Sequence, residues 1–276
     1  MTSVLSRRQL FAMARMACGA ILAGELSSHV APGAENVDIA PGTGTFKGVV
    51  KFVGEAPARK LVIKKDDPML KPEDRAICAA EDYFSEELLV NEQAGNGVAN
   101  VFVYLQKPPT GYEPQPIPEK PFILDVKACR YAPRAFLLRC GQTFKVKEHD
   151  PIPHNVHIQT SRNSTFSEVI GVWNRNAEGF IYTRIFKKPE SRPLAVKCDL
   201  HPWMKAYYLV LDHDLAAVTN ERGQFMIKGL PPGKHSFMVW HEFPGWLKKE
   251  LVVEIKANAL TEIALSFDAR AFAGTK

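Results

Sequence analysis

The sequence predicts an all-β protein, and three observations carry that prediction. Short runs rich in β-branched and aromatic residues recur along the chain. Gly, Pro and Asn bound those runs, and almost no stretch shows the apolar period of a long amphipathic helix. Many short strands with frequent turns point to a sandwich or a barrel.

Taken in order, the expected strands begin with TFKGVVKFV at 45–53 and VANVFVYLQ at 98–106. Between them KPEDRAICAAEDYF (71–84) reads as a short helix opened by Pro72, because proline is pre-set for a first helical turn. The proline-dense 106–121, QKPPTGYEPQPIPEKP, reads as an extended linker and a domain boundary. The strand signals AFLLRC, TFKVKEH, NVHIQT, FIYTRIF, PLAVKC and AYYLVLD follow, and a turn-rich patch with Asn220 and Gly223 leads into QFMIKGL, HSFMVWHE, ELVVEI and TEIALSF. No tandem repeat, glycine-rich phosphate loop or dinucleotide fingerprint is present.

Composition narrows the class. Hydrophobic residues make up 46% and charged residues 24% of the 276, ordinary for a chain with a packed core. A net charge of +5 without a dense basic stripe argues against nucleic acid as a partner. Residues 1–35 are set apart: Ser6-Arg7-Arg8-Gln9-Leu10-Phe11 resembles a twin-arginine export signal, so a periplasmic protein is expected. Arg15 interrupts the apolar run behind it, and no later segment is long and apolar enough to span a bilayer.

The chemistry concentrates in VKCDLHPWMKAYYLV (196–210), where Cys198, His201 and Met204 stand three apart. A thiolate, an imidazole and a thioether form a soft set, and the thioether favours copper over zinc. PLAVKC brings Cys198 to a strand end, Pro202 turns the chain, and AYYLVLD starts the next strand, so all three donors sit on one loop. A type 1 copper site needs one more histidine. His154 in EHDPIPHNVHIQT supplies it at a rigid corner behind Pro151 and Pro153. Asn155 is placed to hydrogen-bond across to the ligand loop as an outer partner. His157 falls on the opposite strand face, and His149 is the weaker alternative.

PHNVHI followed by CDLHPWM is similar to the ligand signature of the amicyanin family of small cupredoxins, and the likeness extends over residues 121–213. The resemblance implies a Greek-key β-sandwich holding one type 1 copper on His154, Cys198, His201 and Met204. It implies no enzyme, but a carrier of single electrons between redox partner proteins, in that family a dehydrogenase and a c-type cytochrome. Two departures fall on the long 160–197 segment and on the approach ESRPLAVKC, both bearing on the docking surface. Pro202 and Trp203 are candidates for a docking rim around the edge of His201; packing beneath the loop is the other reading of Trp203. Trp173, Trp240 and Trp246 are read as core or surface anchors, and His241-Glu242 as too isolated for a hydrolytic pair.

AAVTNERGQFMIKGLPPGKHSFMVWHE resembles the carboxypeptidase regulatory-like, transthyretin-type sandwich but lacks a first strand. Segments 44–110 and 214–276 are therefore expected to build one smaller sandwich around the inserted 121–213 domain. Other expectations in play are a copper storage or delivery protein and a non-catalytic β-sandwich interaction module. Of the five cysteines, Cys18 lies in the signal and Cys198 in the ligand loop. At most one disulfide can then form; Cys78 with Cys129 is the expected pair and Cys140 a buried thiol.

Overall fold

Phe46, Gly48, Val50 and Phe52 are buried along the strand Gly44–Val53, while Lys47, Val49 and Lys51 between them are only partly covered. That is the period-two alternation of a strand with one face in a core. In the computed structural model, which describes residues 37–171, 176 and 178–272, this strand anchors a sheet drawn from both flanks of the chain. The expected export signal, with Cys18, and Trp173 lie outside the described residues.

Gly44–Val53 runs antiparallel to Gln224–Leu230 and parallel to Leu260–Asp268, and Gly97–Val98 and Val90–Asn91 complete the sheet. The facing sheet orders Ala216–Val218, Phe102–Leu105, Gly233–His241 and Gly245–Ile255. Strands of 44–105 thus share both sheets with strands of 216–268. Phe46, Val50, Phe225, Ile227, Phe237, Val239 and Leu265 fill the space between them. Gly48 is required there, since a Cβ would meet the Phe225 ring at 2.6 Å. Gly223, at φ +73, closes the turn before Gln224 in a conformation that disfavours a side chain.

A second sandwich occupies the middle of the chain. One sheet orders Phe180–Ile185, Thr143–Glu148, Phe122–Lys127 and Arg130–Ala132; the other orders Phe166–Ile170, His154–Ile158, Leu194–Lys197, Lys205–Leu211 and Ala135–Arg139. Its core includes Leu124, Val146, Val156, Ile158, Val196 and Tyr208, with Phe136 stacked on Phe122 and Phe144 at 4.5 and 5.8 Å. The protein is therefore all-β. Each sandwich has one four-stranded and one five-stranded sheet among the described residues, so the flanking one is not the smaller in strand number.

Phe102–Leu105 is buried on both faces. Val103 and Leu105 point into the flanking core, whereas Phe102 and Tyr104 join Leu209, Leu211 and Trp240 between the two sandwiches. Arg134 and Glu242 form an ion pair across the same boundary. The proline-rich segment 106–121 forms no strand and is pinned rather than free: Tyr112 Oη donates to Asp214 Oδ1 at 3.0 Å, and the Gln115 amide donates to the same oxygen.

The short helix forms over Pro72–Cys78, with Pro72 in its first turn. A two-stranded ribbon, Leu61–Ile63 with Tyr83–Phe84, brackets it. Cys78 and Cys129 are joined, tying the helix to the middle sandwich across 51 residues of sequence. Cys140 is half-buried rather than sealed in the core, because it sits at the strand end just before the Gly141 turn. Closing a loop of this length in the unfolded chain is worth about 4 kcal/mol on the chain-entropy account. Denaturant unfolding with and without reductant is expected to show a loss of that order; a loss below about 1 kcal/mol would show that the tether contributes little to folding.

Candidate metal centre

Backbone pairing explains how the loop donors converge. Leu194–Lys197 and Lys205–Leu211 are antiparallel, with Lys197 opposite Lys205, so residues 198–204 form the loop of a hairpin. Inside it the Cys198 amide donates to the Met204 carbonyl at 3.2 Å, and the Met204 amide donates to the His201 carbonyl at 2.9 Å. The loop is closed on itself and presents Cys198 Sγ and His201 Nδ1 to each other at 3.6 Å. Met204 is buried in the same core cluster as Cys198.

His154 opens the neighbouring strand His154–Ile158, which pairs with Leu194–Lys197 through His157 and Ile158. Its ring is fully buried and lies against that of His201, centroid to centroid 4.9 Å. The Asn155 amide donates to Cys198 Sγ at 3.2 Å, and Asn155 Oδ1 accepts from the Asp199 amide at 3.2 Å. Asn155 therefore clamps strand to loop from both its backbone and its side chain. Tyr131 Oη donates to the Asn155 carbonyl at 2.6 Å and holds the same corner from the other sheet.

Electrostatics favour a bound cation. Burial pushes the Cys198 thiol up, against the N–H groups of Asn155, His201 and Leu200 that would favour its thiolate. Burial lowers His201, helped by the neighbouring His154, so its imidazole is neutral and keeps a lone pair. His154 Nδ1 contacts Glu148 Oε2 at 2.9 Å, both side chains fully buried. With Nδ1–H donated to that carboxylate, the Nε2 lone pair is left; Nε2 is buried without a hydrogen-bond partner and lies 3.8 Å from Asp150 Oδ2. A buried lone pair facing further negative charge fits a cation, and thiol, imidazoles and thioether fit copper.

The structure brings Cys198 and His201 into direct contact, and His154 beside them ring to ring. Among the described residues, the three donors that lie mutually within 4.8 Å are a different group: Cys129, Asp150 and His154. Cys129 is disulfide-bonded, and Asp150 already accepts from the Ala128 and Cys129 amides, so this group does not make a second thiolate site. His149 is exposed and paired with Asp125, and His157 faces Asp199 at 3.1 Å, so neither joins the cluster.

The expected docking rim is rearranged. Pro202 is exposed, but Trp203 takes the packing alternative, its indole half-buried against the cluster of Ile63, Ala79 and Tyr83. His201 is only 2% exposed, because the Pro72–Cys78 helix stands over its outer edge with Asp74 Oδ1 3.4 Å from Nε2. His241 is buried, with Nδ1 accepting from the Phe243 amide, and Glu242 pairs with Arg134. Trp240 is a core anchor between the sandwiches, with Trp246 packed partly against it.

Glu148, Asp150 and Asp74 were not singled out from the sequence. Glu148 had a signal: it occupies an inward position in TFKVKE, in step with Phe144 and Val146, where a carboxylate needs a partner. Asp74 had none, since it lies 127 residues before His201 and only the fold joins them.

No family model matches this chain, and no curated protein matches it. Among solved structures, a copper-containing nitrite reductase from Thermus scotoductus SA-01 is similar at 18% identity over 38% of this chain, with a TM-score of 0.28. The match spans 27% of that enzyme's length. An amicyanin mutant in its oxidized state is similar at 16% identity over 34% of this chain and 86% of its own, TM-score 0.28. A reduced amicyanin mutant is similar at 15% identity over 41% and 99%, TM-score 0.28. These structural neighbours are cupredoxins, and their likeness to this chain is partial.

Proposed function

We propose that this protein binds one copper ion of the type 1 class and passes single electrons between redox partner proteins in the periplasm. The observation that carries the reading is the convergence of Cys198 Sγ and His201 Nδ1 at 3.6 Å beside the buried His154 ring, with Met204 in the same core. Copper bound there would supply one-electron chemistry between its two common oxidation states. The chain's own part is to hold the donors. Asn155 and the closed hairpin fix Cys198, Glu148 fixes the ring of His154, and burial keeps His201 neutral. A donor set held this rigidly rearranges little between oxidation states, which is what a carrier needs, and no substrate step is assigned to these residues.

The buried edge of His201 supports a second reading, a copper store or delivery protein, since a carrier usually presents that edge to its partner. Adding Cu(II) to the purified apoprotein is expected to produce an intense thiolate-to-copper absorption in the visible. Reversible voltammetry and slow loss to a chelator then separate carrier from store. A protein that stays colourless with Cys198 intact would sink the blue-site reading.

A further inference from the structure

We propose that Asp74 is a positioning residue for the His201 ring, and that the segment carrying it, 61–84, is a tethered lid over the outer edge of the metal centre. This rests on the copper reading above.

His201 has two distinct nitrogens here. Nδ1 faces Cys198 Sγ, so Nε2 is the outward one, and Asp74 Oδ1 stands 3.4 Å from it. A carboxylate on the second nitrogen of a ligand histidine selects the tautomer that carries its proton there, orients the ring, and makes the ligating nitrogen more basic. Asp74 is placed to do for His201 what Glu148 does for His154, across 3.4 Å rather than 2.9 Å. Each imidazole faces a carboxylate from outside the ligand loop.

Asp74 is held in place by several independent ties. Cys78, at the end of its helix, is bonded to Cys129, which is fully buried in the metal-bearing sandwich. Leu70 and Ile77 pack on that sandwich's core. Trp203, two residues from His201, packs against Ile63, Ala79 and Tyr83 of the segment. The Arg75 guanidinium donates to the carbonyls of Asp67, Pro68 and Leu70 and braces the turn ahead of the helix. An unanchored surface loop would not leave a loop histidine 2% exposed. Beside the loop, Pro202 and Trp203 line a solvent-facing groove of about 530 Å³ with Tyr83, Leu88 and Phe243.

Two consequences follow. The negative charge of Asp74 favours the more positive oxidation state of a bound ion, so removing it raises the reduction potential. The lid keeps large partners and reagents from the His201 edge.

The test has one arm without copper and one with it. In the apoprotein, diethylpyrocarbonate modification located by peptide mass spectrometry is expected to reach His201 slower than exposed His149 by about tenfold or more. The gap should close in Cys78→Ser/Cys129→Ser, if that variant keeps the wild-type circular dichroism. Equal rates in the wild type overturn the lid without recourse to any variant. In the copper-loaded protein, Asp74→Asn is expected to raise the potential while the visible band stays, and Asp74→Glu to return it towards wild type. An unchanged potential in Asp74→Asn overturns the positioning role. A protein that takes up no copper defeats the copper reading instead, and the apoprotein arm still decides the lid.

Discussion

Cys198→Ser is expected to abolish the visible absorption of the copper-loaded protein completely. The band requires a thiolate bound to copper, and a serine hydroxyl is neither soft nor ionised at neutral pH. The loss of affinity should exceed the roughly 10–100-fold that follows loss of an outer partner of a metal ligand. Asn155→Ala supplies that smaller comparison, because it removes the side-chain bond to the Asp199 amide and keeps the amide bond to Cys198 Sγ. Burial raises the Cys198 thiol in the metal-free protein, so copper uptake must expel a proton, and apparent affinity should climb as pH rises. Spectral titration with Cu(II) at several pH values checks both statements. A band that survives in Cys198→Ser would remove the thiolate from the ligand set.

The second large effect lies at the boundary between the sandwiches. Arg134 Nη2 donates to Glu242 Oε2 at 2.7 Å, and the two side chains are 7% and 4% exposed. Glu242→Ala strands a guanidinium that is almost sealed from water, leaving it Glu86 and the Lys205 carbonyl, each at 3.4 Å. Stranding a buried charge in this way costs about 3–5 kcal/mol. Denaturant unfolding of Glu242→Ala against Glu242→Gln and the Arg134→Met/Glu242→Leu pair measures it. The double variant, which leaves no unpaired charge, should recover most of the loss. If Glu242→Ala alone costs under about 1 kcal/mol, the pair is not a strong tie. Burial raises Glu242 to about 6 even though Arg134 pulls it down. A carboxyl whose folded pKa is raised contributes its stability below the unfolded pKa and loses it as pH rises through the folded value. Wild-type stability should therefore fall as pH rises from about 4.5 to about 6, a step that Glu242→Gln lacks.

Strand alternation and turn residues made the all-β class legible, since a half-buried strand must alternate and a tight turn must use Gly, Pro or Asn. The proximity of Cys198, His201 and Met204 was legible for a local reason: they lie within seven residues and share one hairpin. His154 and Asn155 were readable one step further off, because a proline corner at a strand start limits where a side chain points. Trp203 was legible as one of two alternatives, and the choice between rim and packing depended on residues more than a hundred positions away.

By itself, then, the sequence determined the elements and which candidate donors share one loop, because both depend on neighbours a few residues apart. Tertiary structure alone decided what surrounds them. It paired Gly44–Val53 with Leu260–Asp268, carried Asp74 to His201, turned Glu148 onto His154 and set Arg134 against Glu242. Those contacts close loops of different length, and their energies come from burial and charge in a low-dielectric interior. No local pattern of residues encodes that environment.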